Sequence, residues 1–191
     1  MPSAPYKGTI LAGMSEMLRP VGFRKKGANF SRELREVVHF IGLQSSQSST
    51  STCLRATLNL SIWVHAAAEP NQEPDALSAH WRQRIGTLMP DRSDHWWVIS
   101  SEEETQAATE EICRALREYG LPALDCLASS EAMRSLWRSG RSPGLTERLA
   151  QRYLQRLEGP QTEANKGAPP NGGPAERLGN SGVGGGPPSV S

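Results

Sequence analysis

Residues 54–64 read Leu-Arg-Ala-Thr-Leu-Asn-Leu-Ser-Ile-Trp-Val, with an apolar side chain at every even position and polar ones at Arg55, Thr57, Asn59 and Ser61. Successive side chains of a strand point to opposite faces, so this period of two predicts a long strand with one face on a core and the other toward water or a polar layer. At about 3.3 Å per residue it runs roughly 36 Å, a length that suits the middle of a sheet. The remainder of the chain then has to supply neighbouring strands and a helical cover.

Neighbours and cover are both visible. Apolar Ile10, Leu11, Met14, Met17 and Leu18 recur at offsets of three and four, the stripe of an amphipathic helix over residues 7–19 that Pro20 and Gly22 stop. After a basic turn at 23–27, residues 29–32 and 37–43 read as two strands joined by the polar stretch 33–36, and the Ser/Thr-rich stretch 44–52 leads into the central strand as a mobile connection. Asp75 can cap a short helix over 76–81, and residues 82–88 and 95–99 form a candidate hairpin about the turn-favouring segment Pro90-Asp91-Arg92-Ser93-Asp94. Ser101 followed by Glu104 has the spacing of a capping box, and the stripe Ala108, Ile112, Ala115, Leu116 and Tyr119 carries that helix to Gly120. Residues 121–127 read as an extended or short helical link. Ser130 and Thr146 can cap two further helices. Strands clustered between helices predict an α+β class, a mostly antiparallel sheet of about five strands with an N-terminal helix and C-terminal helices packed on one face.

Residues 1–158 are expected to form one domain. The segment 159–191 holds nine Gly and six Pro with few large apolar residues, so it is expected to be disordered. A net charge of +1 offers no electrostatic footprint for nucleic acid or a membrane surface, and the longest like-charge runs are Arg24-Lys25-Lys26 and Glu102-Glu103-Glu104. Without a leader-like or spanning apolar segment, cytoplasmic residence is the default expectation. Cys53, Cys113 and Cys126 are too widely and irregularly spaced for a disulfide framework or a zinc motif, and are expected to be inert thiols.

Several short pieces together resemble the bacterial "domain of unknown function 4304" family. They are Leu18-Arg19-Pro20-Val21-Gly22-Phe23-Arg24-Lys25-Lys26-Gly27 with Phe30, Leu43-Gln44 with Ser46, Thr57-Leu58-Asn59-Leu60, Arg84-Ile85-Gly86 with Leu88, and Asp94 with Trp96-Trp97. The matches run in order over about residues 10–127. The resemblance implies an independently folding domain; it implies no reaction and no catalytic residues.

The residues themselves point to no catalytic apparatus. His39, His65, His80 and His95 form no His-x-His or His-x-x-x-His pair, so neither a metal nor another cofactor is expected, and His39 reads as a hydrogen-bonded side chain of its strand. There is no Gly-x-Ser-x-Gly elbow and no phosphate-binding glycine motif after a strand. Arg84 and Asp94 are placed to pair across the expected hairpin. Trp96 and Trp97 are consecutive, so they must point to opposite faces. The central strand's polar row, Arg55, Thr57, Asn59 and Ser61, ends in Trp63. Arg55, Asn59, Trp63, Arg84, Trp96 and Trp97 are therefore the candidate binding residues, since arginine and aromatic side chains supply much of the energy at binding hot spots. The functional expectation is a non-catalytic binding or interaction domain with a protein partner, of which an accessory or immunity-type protein is one form. The alternative is a small hydrolase or nucleotide-processing enzyme with a histidine and an acid brought together by folding. A cleft holding such a pair separates the two readings.

Overall fold

The computed structural model describes residues 6–159; the expectation for the Gly/Pro-rich segment falls outside them, apart from Gly159. Six strands form one antiparallel sheet: β1 (Arg24–Lys26), β2 (Asn29–Glu33), β3 (Val37–Ser45), β4 (Leu54–Val64), β5 (Trp81–Arg84) and β6 (Trp97–Ile99). The order is β1-β2-β3-β4-β5, and β6 also pairs with β4. β4 is the central strand that its alternation predicts, aligned with β3 from Val37 opposite Val64 to Ser45 opposite Ala56.

This register sorts the side chains into two faces. Leu54, Ala56, Leu58, Leu60, Ile62 and Val64 share the first face with Val37, Ile41 and Leu43 of β3 and join one buried cluster with the helices. Helix α1 (Tyr6–Leu18) contributes Ile10, Met14 and Leu18, and α2 (Glu102–Ala115) contributes Ala108, Ile112 and Ala115. The two helices approach closely at Gly13, where a Cβ would stand 2.4 Å from the Thr109 methyl. Gly22, at φ 89°, ends the short turn after α1 in the left-handed conformation that glycine adopts without steric cost. α2 begins with the expected cap: the Ser101 hydroxyl accepts from Glu104 N at 3.1 Å, while the Glu104 carboxylate accepts from Ser100 N at 2.6 Å. It does not end at Gly120 as expected: Gly120 keeps helical backbone angles, φ −69° and ψ −53°, and the chain runs on through a π-helical turn (Leu116–Gly120) into α3 (Leu121–Cys126).

Four further local expectations are corrected. The basic stretch after Phe23 is not a bare turn but edge strand β1, with all three of its cations exposed. Such charges on an edge discourage pairing with another chain's sheet. No helix covers 76–81: the Asp75 carboxylate accepts from the backbone N–H groups of Leu77 and Ser78, which closes one turn, and Trp81 then enters β5. β5 and β6 do not pair with each other. They lie end to end along one edge of β4, β5 against Asn59–Ile62 and β6 against Leu54–Ala56, because β4 is long enough to seat both. Finally, Ser129 rather than Ser130 caps α4 (Ser130–Arg138), its hydroxyl accepting from Ala132 N at 3.2 Å. Thr146 caps α5 (Glu147–Glu158) as expected.

The antiparallel α+β class is the one the sequence predicts, with α1 to α3 as the helical layer over the first face. α4 and α5 sit where β3 begins and β4 ends. The Glu36 carboxylate accepts from Ser130 N at 2.8 Å, and the Arg156 guanidinium donates to Ala67 O at 3.0 Å and pairs with Glu69. Among the described residues, no helix is long and apolar enough to cross a membrane.

Candidate functional site on the second face of the sheet

The second face carries β4's odd positions and is covered at one end only. There Trp63 has no exposed surface: the His80 ring packs 4.7 Å from it between centroids, and Tyr153 of α5 stands edge-on to His80 at 4.7 Å. Trp137 of α4 closes the cluster, 5.2 Å from Tyr153. His80 Nδ1 accepts from Val64 N at 3.0 Å. Burial, reinforced by the charge of Arg156, lowers the His80 pKa to about 4, so the imidazole is neutral near pH 7.

The rest of that face is open. A groove of about 990 Å³ lies over it, with Phe40, Asn59 and Ser61 on its floor, Arg82 and Arg84 from β5 along one side, and Leu77 on its rim. Phe40 stands opposite Ser61 and is only half-buried, while Leu77 is 75% exposed. Asn59 Nδ2 donates to Gln44 Oε1 at 2.7 Å across the β3–β4 pair. At Gly42, directly opposite Asn59, a Cβ would stand 2.7 Å from the Asn29 side-chain oxygen, so the missing side chain is what lets Asn29 lie across the strand.

Beside the groove the structure brings three of the sequence-predicted residues together. The Arg55 and Arg84 guanidinium carbons lie 5.9 and 5.2 Å from the centre of the Trp96 ring. Arg84 Nη1 donates to both Asp94 oxygens at 2.8 and 2.7 Å, and Trp96 Nε1 donates to Asp94 Oδ2 at 2.8 Å. The indole N–H and the guanidinium together hold the Asp94 carboxyl below its usual pKa, so it remains an anion. The Arg84–Asp94 pair predicted across a hairpin thus exists, but it closes the loop between two strands seated on the same neighbour. Asn59 stands opposite Arg84 in the register.

The other two candidate tryptophans, Trp63 and Trp97, present almost no surface here. Trp63 is buried under the α4–α5 end. Trp97 points to the first face, as the alternation with Trp96 requires; it is buried and donates to the Glu111 carboxylate at 3.2 Å. Sequence reading passed over Phe40 and Arg82. Phe40 alternates with buried Ile41, which was a usable signal; the exposure of Arg82 depends on where the loop 76–80 goes, which no local pattern states.

On the first face, His39 Nδ1 is 3.0 Å from the Arg32 guanidinium, which also pairs with Asp125 of α3. Burial first, and the Arg32 charge second, lower the His39 pKa to about 4. Among the described residues no histidine hydrogen-bonds a carboxylate, and no three His, Cys, Asp or Glu side chains gather as metal ligands would. Burial raises the Cys113 thiol pKa, which disfavours the reactive thiolate.

These features define a small α+β domain with one sealed sheet face and one partly open face. The chain belongs to the family described as a domain of unknown function, DUF4304, whose family model matches residues 14–126. Comparison with curated proteins and with solved structures returned no match. The family match ends at the last residue of α3, so α4 and α5, which cover the Trp63 end, lie beyond it.

Proposed function

We propose that this protein is a non-catalytic binding domain whose protein partner sits on the open part of the second face. The observation that carries the reading is the cluster of Trp96 with Arg55 and Arg84 beside a groove floored by half-buried Phe40. Arginine and aromatic side chains held in place by their own contacts lose little freedom on binding, which is the common makeup of a binding hot spot. Arg84 and Trp96 are held by Asp94. His39 and His80, buried, neutral and hydrogen-bonded to no carboxylate, also favour this reading over a hydrolase built on either of them. An accessory or immunity-type role is a narrower form of the same reading, in which the bound partner is inhibited by being covered.

The test is partner capture from the source cells with the full chain, comparing the wild type with Trp96→Ala and Phe40→Ala, each shown by circular dichroism to be folded at the temperature of capture. Loss of the captured protein in both folded variants is expected. Equal capture by all three would move the interface off this face, toward β1 or the helical layer.

A further inference from the structure

We propose that the groove takes an extended segment of the partner protein that presents one carboxylate beside an apolar or aromatic side chain. This rests on the second-face reading above and names what that face recognises.

Charge comes first. The groove lining contains Arg82 and Arg84 and, among the described residues, no Asp or Glu. Arg84 already shares its charge with Asp94. Exposed Arg82 has no carboxylate partner among the described residues: its Nη1 donates to Leu77 O at 3.0 Å, which braces the side chain and leaves the remaining guanidinium N–H groups to a ligand. A braced guanidinium with spare donors matches the planar oxygens of a carboxylate.

The neighbouring groups match a peptide. The Asn59–Gln44 bond uses one amide proton and one carbonyl oxygen, leaving Asn59 Oδ1 as an acceptor and the Gln44 NH₂ as a donor on the same face. One acceptor and one donor side by side complement the N–H and C=O of a main chain. Phe40 on the floor and Leu77 on the rim supply apolar contact for an adjacent side chain. The open face also continues past the groove: Val98 stands opposite Arg55 near Trp96 and is 55% exposed. A small molecule is normally enclosed on most of its surface, whereas this volume sits at the top of the small-ligand range and opens onto further contact surface. An extended protein segment fits that shape.

The experiment pans a displayed library of random linear peptides on the full chain. Enriched sequences are then synthesised, and their affinity is measured by fluorescence anisotropy against wild type, Arg82→Gln and Phe40→Ala. We expect enrichment of Asp or Glu next to an apolar or aromatic residue. Affinity should fall about tenfold or more when that acid is replaced by its amide or when Arg82 is replaced by Gln, as loss of a charge-assisted hydrogen bond implies. Phe40→Ala should weaken binding in a variant that remains folded, and because both substituted side chains have exposed surface, neither variant is expected to unfold the domain. Peptides enriched without an acid, or an acid whose effect survives in Arg82→Gln, would overturn the carboxylate assignment. In that case continued sensitivity to Phe40→Ala would leave the binding-domain reading standing. Absence of any enriched peptide, or preferential binding of a random single-stranded oligonucleotide probe, would overturn the proposal as a whole.

Discussion

The two faces of β4 are built from the same backbone and obey different rules. On the first face every β4 side chain is apolar and buried, closed over by α1, α2 and α3, so its energetics are those of packing. On the second face burial does not follow polarity: Thr57 and Ser61 are buried, Asn59 and Arg55 are not, and Trp63 is sealed only because α4 and α5 reach it. Alternation in a sequence reports which residues avoid water. It does not report which polar residues will be covered anyway, or by what.

The largest effects should come where the two faces are equally dry. Trp63→Ala is expected to cost about 3 to 5 kcal/mol and Leu60→Ala about 2 to 5 kcal/mol, each side chain being fully buried and leaving a cavity. Urea unfolding of both variants measures this. A loss under about 1 kcal/mol for Trp63→Ala would show that the α4–α5 cover is not closed in solution, and the second face would then be open along its whole length.

Each face also buries one histidine, which allows a comparison by pH. His39 and His80 are both lowered from 6.5 to about 4 in the folded protein. Between those values the unfolded chain binds the proton and the folded one does not, so stability falls as pH drops from about 6.5 to 4 and this contribution is constant below. The loss is on the order of 3 kcal/mol per histidine. Proton NMR of the imidazoles should show both titrating near pH 4 while the fold persists. A midpoint near 6.5 for His80 alone would mean that water reaches the Trp63 cluster, whereas the same result for His39 would place water under α3.

How much of this was legible follows from the same contrast. β4, α1, α2 and the caps at Ser101 and Thr146 rest on local period and local hydrogen bonding, so they stand in the sequence plainly. The end-to-end seating of β5 and β6 does not, because both a hairpin and two strands on one long neighbour satisfy the same alternation and the same Arg84–Asp94 pair. The short helix expected over 76–81 failed for a related reason: Asp75 caps a turn equally well whether or not a helix continues from it. In the candidate site, Arg55, Arg84 and Trp96 were nameable from their chemistry and their places in strands. Phe40 and Arg82 join them only through the register of β3 and β5 against β4, a long-range fact.

A smaller prediction concerns the buried polar residues of the second face. Ser61→Ala should change stability by no more than about 1 kcal/mol, since it removes a single small hydroxyl and leaves little void. Thr57 is more informative. Its side chain is fully buried opposite Gln44, and its hydroxyl has no hydrogen-bond partner among the described residues. A buried hydroxyl without a partner costs about 1 to 3 kcal/mol, whereas valine has nearly the same shape, keeps the branched carbon that suits a strand, and carries no such cost. Thr57→Val is therefore expected to be neutral or to stabilise by up to about 1 kcal/mol, read as a raised urea midpoint at unchanged slope. A loss of more than about 1 kcal/mol would show that a bound water satisfies the hydroxyl beneath the face that Trp96 and Arg55 flank. The contrast would then be sharper still: a dry first face held by packing, and a second face that keeps an ordered water on the buried Thr57 hydroxyl.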